Sequence, residues 1–161
     1  MAGEFNLTFE VAGEQQVLRG FSRFADKVQD MRPFFHALAK DFHDLERRQF
    51  ESEGQSGSAG WPALSPRYAR WKAMHYPGKT ILVRTGLLKG SLAGNNGYTV
   101  EDIQPLQARL GTLVPYAIYH QKGGPRLPKR SPIQLSNDDK ARWTKMAHEH
   151  LVEEAKKEGL L

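Results

Sequence analysis

The 161-residue chain has no cysteine. That excludes disulfide staples, thiol nucleophiles and Cys-ligated metal sites, and it suits a reducing compartment. No apolar run approaches the roughly 18–20 residues that span a bilayer, so no membrane association is expected. The opening MAGEFNLTFEVAGEQQ has neither a basic leader nor an apolar h-region. No secretory signal is predicted, and the cytoplasm is the expected compartment. Apolar residues make up only 39% of the chain. A single domain with a modest core, and much of its surface given to loops or contacts, is expected.

Acidic residues are locally missing as well. Residues 61–100 carry six basic side chains and no acid, against seven basic and ten acidic in 1–60 and ten basic and eight acidic in 101–161. The net charge of +5 is therefore concentrated in the middle of the chain. A basic strip of this kind attracts phosphate or an acidic protein surface. It is equally compatible with a solvated outer face.

Catalytic signatures are absent. No G-x-S-x-G elbow, G-x-x-x-x-G-K phosphate loop or G-x-G-x-x-G turn occurs, and Ser91 in LKGSLAG lacks the second glycine an elbow needs. His36 and His43 lie seven residues apart, and His148 and His150 only two. Two residues on a helix point to different sides, so HEH is not the H-E-x-x-H zinc motif. No catalytic residue, metal or cofactor is expected, and the chain reads as something other than an enzyme. His36, among Phe34, Phe35 and Leu38, reads as a packing histidine.

Several elements are legible. FNLTFEV (5–11) alternates with period two and predicts a strand. VLRGFSRFADKVQD (17–30) has apolar residues at helical spacing despite Gly20. Pro33 opens a second helix over about 31–52, with Phe42, Leu45 and Gln49 on one face. GQSGSAG (54–60) reads as a flexible loop. Ser65 and Pro66 read as the N-cap and first turn of a helix to His75. A further short helix is expected at 84–94, capped by Thr85. These two helices should turn Tyr68, Trp71, Leu87 and Leu88 inward. Two alternating pieces within 98–112, with Pro105 between them, predict a β-hairpin. VPYAIYHQKGG (114–124) is a short extended or helical piece. The acid-free, Pro-rich 122–132 stretch reads as an extended arm. SNDDKARWTKMAHEHLVEEAKKEGL has Ser136 or Asn137 as N-cap and acids in its first turn, and predicts a long C-terminal helix.

This order has no βαβ rhythm. It predicts an α+β domain, with a small antiparallel β-sheet packed against N-terminal helices and a long C-terminal helix. Trp, Tyr and Arg dominate interface energetics. The candidate interface residues are Trp61, Arg67, Arg70, Lys72, Arg84, His120, Arg126, Lys129 and Arg130. Two classes of function remain: an assembly protein, and a small basic nucleic-acid-binding module that stacks bases on Tyr68, Trp71 and Tyr76.

Four motifs in order carry a resemblance: GWPALSPRYARWK, ILVRTGLLKGSL, VPYAIYHQKGG and LPKRSPIQLSNDDKARW. Together, over residues 60–145, the chain resembles the tailed-phage virion morphogenesis (tail completion) family, of Mu type. In place of the R-P-F-L usual there, this chain reads Arg130-Ser131-Pro132-Ile133. The resemblance implies a non-enzymatic structural protein of the virion neck or tail that completes the tail and helps join it to the head. It implies homo-oligomerisation as a ring, a hexamer or another cyclic form. Its neighbours would be the head-side connector and the tail terminator or tail tube, with DNA passing through the lumen. The 52–60 loop and the 122–132 arm are expected to order on neighbouring subunits.

Overall fold

A computed structural model describes residues 14–56 and 60–161. The strand predicted at 5–11 lies outside the described residues. Six helices are described: α1 (Glu14–Val28), α2 (Arg32–Glu51), α3 (Pro66–His75), α4 (Leu87–Leu92), α5 (Ala117–Lys122) and α6 (Asn137–Lys157). Between α4 and α5 lie strands β1 (Thr99–Gln104) and β2 (Gln107–Thr112). They pair antiparallel, with Gln104 opposite Gln107, so Pro105 and Leu106 form the turn. The domain is α+β, as the element order predicts.

The core forms where α2 crosses α4 and the hairpin. Phe42, Phe50, Leu88, Leu92 and Val114 meet there with Trp61 and Val83, and Trp143 of α6 packs against them. Polar ties hold these elements in register. Met31 N–H donates to the Pro105 carbonyl at 2.7 Å, which pins the hairpin turn to the start of α2. The buried Ser91 hydroxyl lies 2.6 Å from Thr112 Oγ1 and donates to the Leu88 carbonyl. Ser91 thus locks α4 to β2. His43 Nδ1 donates to the Leu92 carbonyl at 2.7 Å, and its Nε2 lies 3.2 Å from the Glu101 carboxylate.

The long helix α6 starts with a full capping box. Ser136 Oγ accepts from Asp139 N–H, and the Asp139 carboxylate accepts from Ser136 N–H. One carboxylate on α2 then anchors α6: Asp41 Oδ2 accepts from Trp143 Nε1 at 2.6 Å and from Arg142 at 2.8 Å. Burial pushes the Asp41 pKa up, but the bonds from Arg142 and Trp143 outweigh it and hold the carboxyl below its usual range. At the far end of α6, α1 leans on the chain's last turn. A Cβ at Gly20 would stand 2.9 Å from the Glu158 carbonyl, so the glycine permits the close approach. Arg23 closes the same contact on Glu158 at 3.0 Å.

Four expectations need correction. Thr85 is not the N-cap of α4: Gly86 holds that position, at φ +87°, and Thr85, one residue before it, accepts from Leu87 N–H through Oγ1. Tyr68 is exposed, and Trp71 only half-buried. The inward face of α3 is instead that of Lys72, whose stem is buried and whose ammonium donates to the Thr80 carbonyl. His36 is exposed, and the packing histidine of α2 is His43, one heptad on. Finally, 122–132 folds onto its own domain within the protomer. Gly124 and Leu127 bridge each other, and Arg130 N–H donates to the His120 carbonyl.

Candidate functional site

The returning 122–132 loop creates one wall of a cleft. Gln121 directs it: its side-chain amide donates to the Ile133 carbonyl at 2.8 Å and its oxygen accepts from Ile133 N–H. Arg130 then fixes the loop to the chain before α3. Its Nε donates to the Pro62 carbonyl at 2.7 Å and its NH2 to the Ala63 carbonyl at 2.8 Å. Trp61 Nε1 donates to the Ser131 carbonyl at 3.0 Å, while the Trp61 ring meets Phe50 edge-on at 5.3 Å. Two segments about 70 residues apart in sequence are thereby stitched side by side.

Between them opens a cavity of about 730 Å³. That falls within the usual size of small-molecule pockets, roughly 300–1,000 Å³. One wall comes from Ala63–Ser65 and from Tyr68 and Lys72 of α3, the second from Leu82–Leu87, and the third from Tyr116, His120, Arg126–Pro128 and Arg130. Five basic side chains line the cavity, Lys72, Arg84, His120, Arg126 and Arg130, and no acid does.

The cations of this cleft are not held in close ion pairs, and Glu53 acts on Lys72 only at longer range. Lys72 and Arg130 are 4% and 6% exposed and rest on backbone carbonyls. Among the described residues, none of Lys72, Arg84, Arg126 and Arg130 forms a salt bridge. Burial lowers the pKa of Lys72, against the opposing field of Glu53. Burial, and then Arg130, lower that of His120. His120 Nδ1 is buried with no hydrogen-bond partner, and its ring stands edge-on to Tyr116 at 6.1 Å. Leu82 on the second wall adopts φ +61°. Such a conformation costs a bulky residue on the order of 1–3 kcal/mol and is found where the surroundings fix it, commonly at binding sites.

The structure thus gathers Lys72, Arg84, His120, Arg126 and Arg130 from the nine candidate positions. Arg67 and Arg70 stand exposed on the outside of α3, Lys129 is exposed on the loop, and Trp61 lies in the core beneath. Lys72, expected on an exposed basic face, is corrected to the cleft floor. Gln121 and Tyr116 were not singled out by sequence, although both sit in the VPYAIYHQKGG motif. Trp71 stacks near-parallel with Tyr68 at 5.5 Å and with His75 at 4.7 Å. Its ring is engaged along the helix rather than held open for a base.

Among the described residues no helix is long and apolar enough to cross a membrane, and no group of three His, Cys, Asp or Glu could hold a metal ion. No curated protein and no solved structure gives a significant match. Residues 12–152 match the model of the phage virion morphogenesis family. That span includes α1 and α2 as well as the motif-bearing half, and so the chain belongs to the phage virion morphogenesis family.

Proposed function

We propose that the protein is a structural component of the virion neck or tail. It completes the tail and helps join it to the head, through protein–protein contacts in a ring of identical subunits and without a catalytic step. Its partners are further copies of itself, the head-side connector, and the tail terminator or tail tube.

Family membership supports the virion role. The observation that carries the ring is the pair of unburied apolar sets on separate elements. Val17, Leu18 and Phe21 are more than half exposed on α1, as are Leu113 and Tyr119 around α5. A cyclic assembly uses heterologous contacts, so each subunit must offer two different sticky surfaces. Isolated exposed apolar residues are ordinary, but grouped ones mark contact sites.

Light scattering at low and high salt, with and without a short DNA duplex, tests this reading. A salt-resistant oligomer indifferent to DNA is expected, and its mass gives the ring number. A monomer that gains mass only on DNA, and loses it as salt rises, would refute the reading in favour of a nucleic-acid module. That binding should fall with a slope of about one logarithmic unit per neutralised phosphate.

A further inference from the structure

The cleft between α3 and the 122–132 loop holds more positive charge than its own protein neutralises. Buried cations are ordinarily paired, because removing a charge from water is costly. Here Lys72 and Arg130 form the floor and donate to neutral carbonyls, while Glu53 acts on Lys72 only from beyond ion-pair distance. Arg84 and Arg126 stand exposed at the rim with no acid within 4 Å among the described residues. His120 Nδ1 is a further polar atom that is buried and unused.

The remaining lining is apolar: Leu64, Leu82, Leu87, Leu127 and Pro128, with the rings of Tyr68 and Tyr116. A complementary ligand therefore has anionic groups beside apolar ones at side-chain spacing. An extended peptide that alternates carboxylates with Leu- or Phe-like side chains has that character. Duplex DNA does not. A cavity of about 730 Å³ cannot admit a double helix, whose major groove alone is about 12 Å wide, and the floor cations lie too deep to meet a duplex backbone from outside.

We propose that this cleft is the docking site for an acidic, apolar-anchored peptide segment of an adjacent virion protein. A carboxylate of that segment sits between the rim guanidiniums of Arg84 and Arg126, facing Lys72 and Arg130. An adjoining apolar side chain lies against Leu82 and Leu87. Arginine suits the rim because its planar fork binds a carboxylate through two parallel hydrogen bonds. The proposal rests on the assembly reading above, since it names the partner chemistry of one of that protein's contacts.

The test uses the whole protein and a fluorescein-labelled peptide of alternating Glu and Leu, with fluorescence anisotropy as readout. Its Glu-to-Gln counterpart and an oligothymidylate of equal length serve as competing probes. The acidic peptide should bind, and the Gln peptide should bind at least about tenfold more weakly. R84E/R126E changes two exposed residues and should remove the difference between the two peptides. H120Q should leave the fold unchanged and alter the affinity. In spectra of the free protein, the His120 ring resonances should move on titration with the acidic peptide.

Preference for the oligothymidylate, abolished by R84E/R126E, would overturn the proposal in favour of single-stranded nucleic acid. Equal affinity for the Glu and Gln peptides would overturn it, and so would binding of neither. A ring by light scattering with no peptide binding sinks this proposal and spares the assembly reading. Peptide binding by a DNA-dependent monomer does the reverse.

Discussion

Glu46 sits in the C-terminal half of α2 with no measurable exposure, and neither carboxylate oxygen has a hydrogen-bond partner. Burial alone raises its pKa from 4.5 to about 8. In the folded chain it therefore keeps its proton at neutral pH, while in the unfolded chain it loses it. The unfolded state binds fewer protons across this window, so stability falls as pH rises. Glu46 costs nothing below about pH 4.5, and its cost is complete above about pH 8. At 1.36 kcal/mol per unit, the cost at pH 7 is about 3 kcal/mol. E46Q keeps the shape and removes the titration. E46M keeps the length and also removes both unpaired oxygens, with little change in volume. Both variants should be more stable at pH 7.5 than at pH 5.5 relative to the parent, by about 2–3 kcal/mol over that interval. At pH 7.5 the melting temperature of E46M should exceed that of the parent by about 6–12 °C. Urea midpoints of parent and variants at both pH values measure the difference directly. His120 also titrates here, with the opposite sign. Its depressed pKa adds stability that is present above about 6.5 and lost as pH falls. Subtracting variant from parent cancels that contribution. Parallel pH profiles for parent, E46Q and E46M would refute the reasoning, because a carboxylate that ionises in place is not buried as described.

Three other perturbations test separate parts of the fold. D41A removes the acceptor shared by Arg142 and Trp143 and should cost about 2–4 kcal/mol by urea denaturation. At low pH the parent should lose the same contribution as pH falls below 3.8 through the depressed pKa of Asp41, so parent and D41A should converge there. R130M strips the donors from the Pro62 and Ala63 carbonyls and should cost about 2–3 kcal/mol, with Trp61 fluorescence shifting to the red. G20V would force α1 away from Glu158, where a Cβ already comes within 2.9 Å of the carbonyl. Proteolysis should then release α1 while the rest of the domain keeps its near-ultraviolet dichroism.

Much of the fold was legible because its signals are local. The Ser65-Pro66 start of α3, the Pro105 turn and the start of α6, left open between Ser136 and Asn137 and found at Ser136, each depend on a few adjacent residues. The face of α2 was also legible: Gln49, placed with Phe42 and Leu45 by spacing alone, is fully buried. The failures involve partners distant in sequence. Spacing puts Tyr68, Trp71 and Lys72 within one turn of α3, but which of them turns inward is decided by the Thr80 carbonyl that receives the Lys72 ammonium. The same holds for the cleft. Its basic residues were singled out one by one, yet their convergence depends on Arg130 reaching Pro62 and Ala63, and no local pattern predicts that contact. The burial of Glu46 had a visible signal, since it lies four residues beyond Phe42 on the apolar face.

The stitch between Trp61–Ala63 and Arg130–Ser131 has a kinetic consequence. It closes a chain loop of about 70 residues, and such closure carries an entropic cost before any contact repays it. The hairpin and the individual helices need no such closure. The cleft, whose walls are the two halves of that stitch, therefore exists only once these distant segments have met. A segment docking there, as proposed above, would recognise only chains in which that closure has been made.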